Sequence, residues 1–198
     1  MGNREGVVEK INVSPKLQPD RMEEIVRVER RRVYKVLFVG GKAGGKTSII
    51  SAMLDNVYDE NVEATIGLDL RIKVRGRNKY QIWEICGDAK YEKMALPYFG
   101  KVHTVVVVYS LCCLESFLNV SLYLRDSMDR DLCVIVVGNK SEEAGVVSEK
   151  ARDTLILDND VHYIEVSAKC GVGIDGLLGL ITKFSRYEME EKIEKEID

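Results

Sequence analysis

The stretch Gly40-Gly41-Lys42-Ala43-Gly44-Gly45-Lys46-Thr47 decides the fold of this chain. It fits the pattern G-x-x-x-x-G-K-[ST] and comes directly after the apolar run Val33–Val39. Glycines let backbone N–H groups turn toward phosphate oxygens at the start of a helix, whose partial positive charge favours an anion. In this pattern the lysine reaches the β- and γ-phosphates, and the threonine hydroxyl binds Mg²⁺. We therefore predict a nucleotide site to which this segment contributes Gly41, Lys42, Ala43, Gly44, Gly45, Lys46, Thr47 and Ser48.

Beyond this loop, apolar runs of strand length alternate with helical patterns. The predicted strands are Val33–Val39, Leu68–Val74, Tyr80–Ile85, Thr104–Leu111, Leu132–Val137 and His162–Val166. The predicted helices run from Thr47 or Ser48 to about Leu54, and over Glu115–Met128, Ser148–Leu157 and about Gly173–Glu194. Such alternation predicts an α/β fold. We expect a three-layer P-loop NTPase sandwich, in which helices cover both faces of a mostly parallel six-stranded sheet with one antiparallel edge strand.

Length and composition predict one globular domain with flanking segments. Residues 1–32 are dense in charge and are predicted to form a mobile extension, residues 33–187 the domain, and residues 188–198 a charged tail or the end of the last helix. The net charge of −3 gives no reason to expect nucleic acid as a partner. The five cysteines lack CxxC pairing, which favours buried thiols in a reducing, cytoplasmic compartment.

Four later segments choose the nucleotide. They are Thr65-Ile66-Gly67, Trp83-Glu84-Ile85-Cys86-Gly87, Gly138-Asn139-Lys140 and Ser167-Ala168-Lys169, and they follow the phosphate loop in this order. Through them the chain resembles the Rab-type small GTPases of the Ras superfamily over about residues 33–187. The resemblance implies a switch that binds GTP or GDP with Mg²⁺, hydrolyses GTP to GDP and phosphate, and regulates vesicle traffic. It also implies effector, exchange-factor and GAP proteins that bind two switch loops.

The resemblance implies a role for each matching residue. Tyr58 would pack on the guanine, Thr65 of switch I would bind Mg²⁺ when γ-phosphate is present, and the N–H of Gly87 in switch II would contact that phosphate. The base would be recognised by Asn139, Lys140, Glu142, Ser167, Ala168 and Lys169. Thr47 and Thr65 would bind the metal directly and Glu84 through water. The catalytic positions would be Asp88, Lys46 and Lys42.

Four of these positions depart from the family pattern. Lys42 replaces a small residue, Glu84 the aspartate that supports Mg²⁺, Asp88 the glutamine that positions the attacking water, and Glu142 the aspartate that grips guanine. Aspartate is shorter than glutamine and only accepts hydrogen bonds when ionised, so we expect slow hydrolysis. Glu142 predicts weaker or less selective guanine binding. Lys42 and Asp88 carry opposite charges, which gives two hypotheses: they pair across the γ-phosphate site, or they are independent charges.

Two other functions remain open at this point. The first is a scaffold that binds nucleotide without hydrolysing it, which Asp88 and Lys42 favour. The second is an ATP-using kinase or ATPase, against which Asn139-Lys140 and Ser167-Ala168-Lys169 argue. The last cysteine is Cys170 and Gly6 stands where a myristoylation motif needs Ser or Thr, so we expect no lipid anchor in this chain. Any contact with endomembranes would then be peripheral and made through partners.

Overall fold

A computed structural model describes residues 31–128 and 132–197 of the chain. The predicted extension over residues 1–32 lies almost entirely outside the described residues. The compact unit begins at Arg32, where the first strand starts. The proposed division of the chain into three segments stays a prediction.

A six-stranded sheet forms the centre of the described residues. Its strands are β1 Arg32–Val39, β2 Leu68–Arg75, β3 Asn78–Ile85, β4 Thr104–Ser110, β5 Cys133–Asn139 and β6 His162–Val166. Their spatial order is β2-β3-β1-β4-β5-β6. The β2–β3 pair is antiparallel and the other pairs are parallel. The predicted sheet, with its antiparallel edge strand, is therefore confirmed.

Helices cover both faces of the sheet. They are α1 Lys46–Asp55, α2 Leu96–Phe99, α3 Leu114–Leu118, α4 Val120–Met128, α5 Glu149–Asn159 and α6 Ile174–Ile197. Residues of α1 and α6 form one apolar core with one face of the strands, and residues of α2 to α5 form a second core on the other face. Strand β4 is buried along its whole length, as expected of a central strand between two helical layers. In the described part of the chain, helices of sufficient length are too polar to cross a membrane.

Two features of the helical layers differ from the prediction. The helix predicted over Glu115–Met128 is divided at Asn119, whose ψ of −13° departs from the α-helical value, so that α3 and α4 are separate. A 3₁₀ helix, Ala89–Met94, and the short α2 fill a stretch for which the apolar pattern predicted no element. Helices of six and four residues span too few turns to establish a period in the sequence.

The sheet brings the ends of several strands to one edge. Parallel strands β1, β3 and β5 all end at this edge, at Val39, Ile85 and Asn139. In open α/β sheets ligands bind beyond the carboxyl ends of the strands, where the strand order reverses. Strand β1 lies at such a point, between β3 and β4. The predicted phosphate loop follows β1 directly, so the fold places it where this rule expects a ligand.

Candidate nucleotide-binding site

The loop after β1 folds around the side chain of Lys46. Its Nζ donates hydrogen bonds to the carbonyl oxygens of Gly40 at 3.0 Å and Gly41 at 3.1 Å, and Lys46 is only 6% exposed. Helix α1 begins at Lys46 because Gly45, with a φ of 88°, turns the chain into it. Burial lowers the pKa of Lys46, and the nearby Glu84 carboxylate opposes that shift. The loop therefore presents an ammonium group and the N-terminus of a helix to an anion.

Gly87 lies directly against this loop. A Cβ at this position would be 2.5 Å from both the carbonyl carbon of Gly41 and the amide nitrogen of Lys42. Both of these are backbone atoms, so they cannot move aside as a flexible side chain would. Only glycine allows the chain after β3 to approach the phosphate loop this closely.

Three oxygen atoms meet beside the loop. Thr47 Oγ1 donates a hydrogen bond to Glu84 Oε1 at 2.5 Å, and Thr65 Oγ1 donates to the same oxygen at 3.2 Å. The two hydroxyl oxygens are 3.1 Å apart. Thr47 lies in the first turn of α1, Thr65 in the loop before β2 and Glu84 near the end of β3. The fold thus joins the predicted metal-binding residues into one cluster.

Glu84 is a buried carboxylate with spare bonding capacity. The residue is 2% exposed, and its Oε2 has no hydrogen-bond partner within the described residues. Burial raises the pKa of Glu84, while the Thr47 hydroxyl and the Lys46 ammonium pull it back down. Hydroxyl and carboxylate oxygens are the donors that Mg²⁺ prefers. The described residues hold no group of three or more His, Cys, Asp or Glu side chains placed to bind a metal ion by themselves. The donor set fits Mg²⁺, with phosphate oxygens and water needed to complete the coordination.

Asp88 bonds to its own segment. Its Oδ1 accepts a hydrogen bond from the N–H of Lys90 at 3.2 Å, which caps the 3₁₀ helix Ala89–Met94. Its Oδ2 lies 3.6 Å from Lys90 Nζ, and Asp88 raises the pKa of that amine. Lys42 is exposed and forms no ion pair with any described residue. Asp88 therefore pairs with Lys90 in this structure, and its pairing with Lys42 across a bound γ-phosphate stays a prediction.

Asn139 joins the phosphate loop to the loop after β6. Its Nδ2 donates to the carbonyl oxygen of Gly44 at 3.0 Å, and its Oδ1 accepts from the N–H of Ala168 at 3.2 Å. Asn139 is 2% exposed. Ser167 stabilises the same loop, because its Oγ accepts from the N–H of Cys170 at 2.9 Å. Here Asn139 and the Ala168 N–H contact each other, and their predicted contacts with guanine stay a prediction.

The other residues predicted to contact the guanine base lie on the loops after α1, β5 and β6. Tyr58 is 39% exposed, and Lys140 has a φ of 67° that turns the chain sharply after β5. Lys169 Nζ pairs with Glu60 at 2.9 Å, which connects the loop after β6 to the loop before β2. Glu142 is exposed and near enough to Lys169 to raise its pKa, after the larger effects of Glu60 and Tyr58.

A cleft of about 700 Å³ joins the phosphate loop, the three oxygen atoms of Thr47, Thr65 and Glu84, and the Tyr58 side chain. The predicted residues that line it are Lys42, Ala43, Gly45, Lys46, Thr47, Ser48, Tyr58, Thr65, Glu84, Gly87, Asp88 and Lys140. Ala168 and Lys169 line a neighbouring pocket of about 290 Å³, which Tyr58 also borders. Gly44, Asn139 and Ser167 are buried. Gly41 borders another pocket beside Asp88, and Glu142 lines none of these. A cleft of this size accommodates a nucleotide-sized ligand.

The cleft also contains residues that the sequence motifs did not identify. Cys86 lines the cleft and stands close enough to affect Lys46 electrostatically. The prediction of buried thiols is wrong, since Cys170 is exposed and the other four cysteines are half-buried. Glu60, Lys90 and Tyr91 also line the cleft. The position of Cys86, immediately before Gly87 in a quoted motif, was the signal that could have identified it.

Comparison with known proteins identifies the family. Residues 35–185 match the Ras family. The chain is 29% identical over 161 residues to the Ras-related protein Rab-1 of Theileria parva, covering 76% of this chain and 73% of that protein. It is 28% identical over 152 residues to the Ras-related protein Rab-10 of Caenorhabditis elegans, covering 72% of this chain and 76% of that protein.

Longer relatives also match. The chain is 28% identical over 173 residues to the Ras and EF-hand domain-containing protein homolog of Mus musculus, covering 80% of this chain and 28% of that protein. It is 30% identical over 169 residues to the Ras and EF-hand domain-containing protein of Danio rerio, covering 78% and 26%. The chain thus spans about a quarter of the length of these two relatives. With the family match extending over most of its length, the chain belongs to the Ras family, as a small GTPase similar to the Rab-type proteins.

Proposed function

We propose that this protein is a Rab-like switch that binds GTP or GDP with Mg²⁺ in the cleft and hydrolyses GTP slowly. The phosphates would lie on the loop around Lys46, and the guanine would lie between Tyr58 and the segments after β5 and β6. The closed contact between Gly87 and the phosphate loop supports this proposal, because it brings the N–H of Gly87 close to where a γ-phosphate would bind.

The single observation that supports slow hydrolysis is the position of the Asp88 side chain. Both of its carboxylate oxygens interact with Lys90, one with the backbone N–H and the other with the ammonium group. A carboxylate has no proton to donate to a phosphate oxygen, and one that caps a helix is not free to orient water. Loss of a group that positions water reduces the rate by roughly one to several orders of magnitude, at about 1.4 kcal/mol for each.

The other residues would bind and orient the substrate. Lys46 would contact the β- and γ-phosphates, and Lys42, at the exposed rim of the loop, would add positive charge near the γ-phosphate. Thr47, Thr65 and Glu84 would hold Mg²⁺, which neutralises charge on the phosphates when it is bound. Catalysis would then rest on positioning and on electrostatic stabilisation of the transferred phosphoryl group.

The same ligand would control access to partners. When γ-phosphate leaves, the loops that carry Thr65 and Gly87 would lose contacts, and partners that bind their ordered form would dissociate. Effector, exchange-factor and GAP proteins are the expected partners. A role in vesicle traffic, in the cytoplasm and at the surface of endomembranes, is carried over from the Rab resemblance alone.

Single-turnover hydrolysis of bound GTP tests the proposal. Wild type is compared with Asp88→Gln, and Asp59→Asn, which removes the same charge from the rim of the cleft, serves as the matched control. We expect Asp88→Gln to hydrolyse GTP at least roughly tenfold faster than wild type, and Asp59→Asn to match wild type. Equal rates for wild type and Asp88→Gln, both in the range of an active GTPase, would refute the role of Asp88.

The scaffold alternative is favoured by the same contact of Asp88. If neither wild type nor Asp88→Gln converts stably bound GTP over hours, the scaffold interpretation replaces the slow switch. Competition between GTP and ATP for binding to the cleft distinguishes the slow switch and the scaffold from an ATP-using enzyme. Tighter binding of ATP than of GTP would contradict a guanine-specific protein.

A further inference from the structure

Glu84 Oε1 lies directly beside the two hydroxyl oxygens that would bind the metal. Its Oε1 is 2.5 Å from Thr47 Oγ1 and 3.2 Å from Thr65 Oγ1, the two hydroxyl oxygens that would bind Mg²⁺ directly. Because Oε1 is as close to the two hydroxyls as neighbouring ligands of one ion are to each other, a cation that binds both hydroxyls on this side would also lie within bonding distance of Oε1.

The three oxygens have the spacing of metal ligands. With bonds of 2.0–2.1 Å, neighbouring ligands of an octahedral Mg²⁺ are about 2.9 Å apart. The three edges of the triangle formed by Thr47, Thr65 and Glu84 measure 2.5, 3.1 and 3.2 Å. Their mean is close to that octahedral edge. The triangle therefore matches one face of an octahedron, with Glu84 Oε1 at a corner.

A second observation concerns the other oxygen of the same carboxylate. Glu84 Oε2 is buried and has no hydrogen-bond partner within the described residues. A buried carboxylate is costly unless a positive charge or several donors compensate it. Lys46 and Arg71 both lower the pKa of Glu84, but neither bonds to Oε2. The Lys46 ammonium bonds to the carbonyls of Gly40 and Gly41, and the Arg71 guanidinium bonds to Asp69 and Ser51. A divalent cation at the triangle would supply positive charge directly at the carboxylate.

We propose that Glu84 binds the Mg²⁺ directly, in the place where an aspartate one methylene shorter would act through a water molecule. This inference rests on the proposed function and replaces the water-mediated contact expected from the sequence. The additional methylene moves the carboxylate from the outer to the inner coordination sphere. Glu84 then links the metal to Thr65 through a group that belongs to the protein and not to the nucleotide.

The test counts the water molecules bound to the metal. Mn²⁺ replaces Mg²⁺ in the complex of the full chain with GDP, and broadening of the Mn²⁺ EPR signal in water enriched with ¹⁷O counts the directly bound waters. Wild type is compared with Glu84→Asp, and Asp59→Asn is the control for a change of charge at the rim of the cleft. We expect Glu84→Asp to bind one more water than wild type, and Asp59→Asn to bind the same number.

A second measurement needs no substitution and therefore does not depend on the folding of Glu84→Asp. Wild-type protein labelled with ¹³C at the glutamate side-chain carboxyl carbon is loaded with Mn²⁺ and GDP, and pulsed ENDOR measures the ¹³C coupling. We expect the strong coupling of one directly bound carboxylate. Only the weak coupling of a distant carboxylate, or equal water counts in wild type and Glu84→Asp, would overturn the proposal.

The two levels of inference fail differently. If Mn²⁺ and GDP do not bind to wild type at all, the proposed function is wrong and the role of Glu84 is wrong with it. If they bind but the wild-type carboxylate is separated from the metal by water, only the role of Glu84 is wrong.

Discussion

Asn139 is the residue whose removal should most disturb both the stability of the domain and its nucleotide site. It is buried and bonds at once to the carbonyl of Gly44 in the phosphate loop and to the N–H of Ala168 after β6. These two partners are 124 residues apart in the sequence, since 168 − 44 = 124. Asn139→Ala removes both bonds and leaves two buried backbone groups without a partner.

The magnitude follows from these two groups. An unsatisfied buried donor or acceptor costs about 1–3 kcal/mol, so the two groups together should cost the variant about 2–6 kcal/mol of the free energy of unfolding. A domain of this size has about 5–15 kcal/mol in total. The loss is therefore a large fraction of the stability of the domain.

Urea denaturation of the protein in EDTA without nucleotide measures this loss. The matched control is Asn159→Ala, which removes one bond from a half-buried asparagine to the carbonyl of Leu155 in α5. We expect the control to lose less than about 1 kcal/mol. Repeating the measurement with the same excess of Mg²⁺ and GDP should stabilise Asn139→Ala less than wild type, because the stabilisation by a ligand rises with the logarithm of its concentration divided by Kd. A variant within about 0.5 kcal/mol of the control would refute the bridging role of Asn139.

Three further predictions concern other parts of the domain. In a competition assay, Gly87→Ala should weaken binding of a non-hydrolysable GTP analogue by roughly tenfold more than binding of GDP, because the added Cβ would lie 2.5 Å from backbone atoms of the phosphate loop. The control is Gly179→Ala, where an added Cβ meets no atom within 4 Å, and it should change neither affinity. Burial raises the pKa of Tyr109 to about 12, so the native state favours the neutral phenol and the free energy of unfolding should fall as pH rises from about 10 to 12. In denaturation experiments across that range, Tyr109→Phe should reduce this fall by about 2 kcal/mol. An unchanged fall in the variant would contradict the prediction. Glu60→Gln, which breaks the exposed pair with Lys169, should speed GDP release less than about fivefold in stopped-flow fluorescence, and the effect should vanish at high salt if the pair acts by charge alone.

The fold follows from the sequence because its strongest signals are long and local. The glycine-rich loop between an apolar run and a helix predicts the first strand, the loop and α1. The runs Val105–Val108 and Val134–Val137 predict central strands, and both are buried in the sheet. The short helices after β3 and the break at Asn119 could not be predicted, since a few residues do not establish a period and tertiary packing decides such segments.

The sequence predicts which residues line the candidate site better than it predicts the hydrogen bonds and ion pairs among them. The motifs identify Lys46, Thr47 and Thr65 as cleft residues, and the cleft contains them. The contact of Asp88 with the N–H of Lys90 could have been predicted, because an aspartate that precedes a helix commonly caps that helix. The pair between Lys169 and Glu60 was not, because it joins exposed side chains on loops far apart in the sequence.

The substitutions at positions 84 and 88 act on opposite parts of one switch. Asp88 interacts with Lys90, and under the proposed function this removes the group that would orient water. Glu84 bonds to Thr65, so a carboxylate of the protein supports switch I beside any contact that γ-phosphate provides. Under the proposed function, the first change would prolong the GTP-bound state, and the second would reduce how much the loop carrying Thr65 gains from γ-phosphate. A ligand shifts an equilibrium only by its differential affinity for the two states. The two changes together would therefore give a switch that turns off slowly and whose switch I differs little between its two nucleotide states.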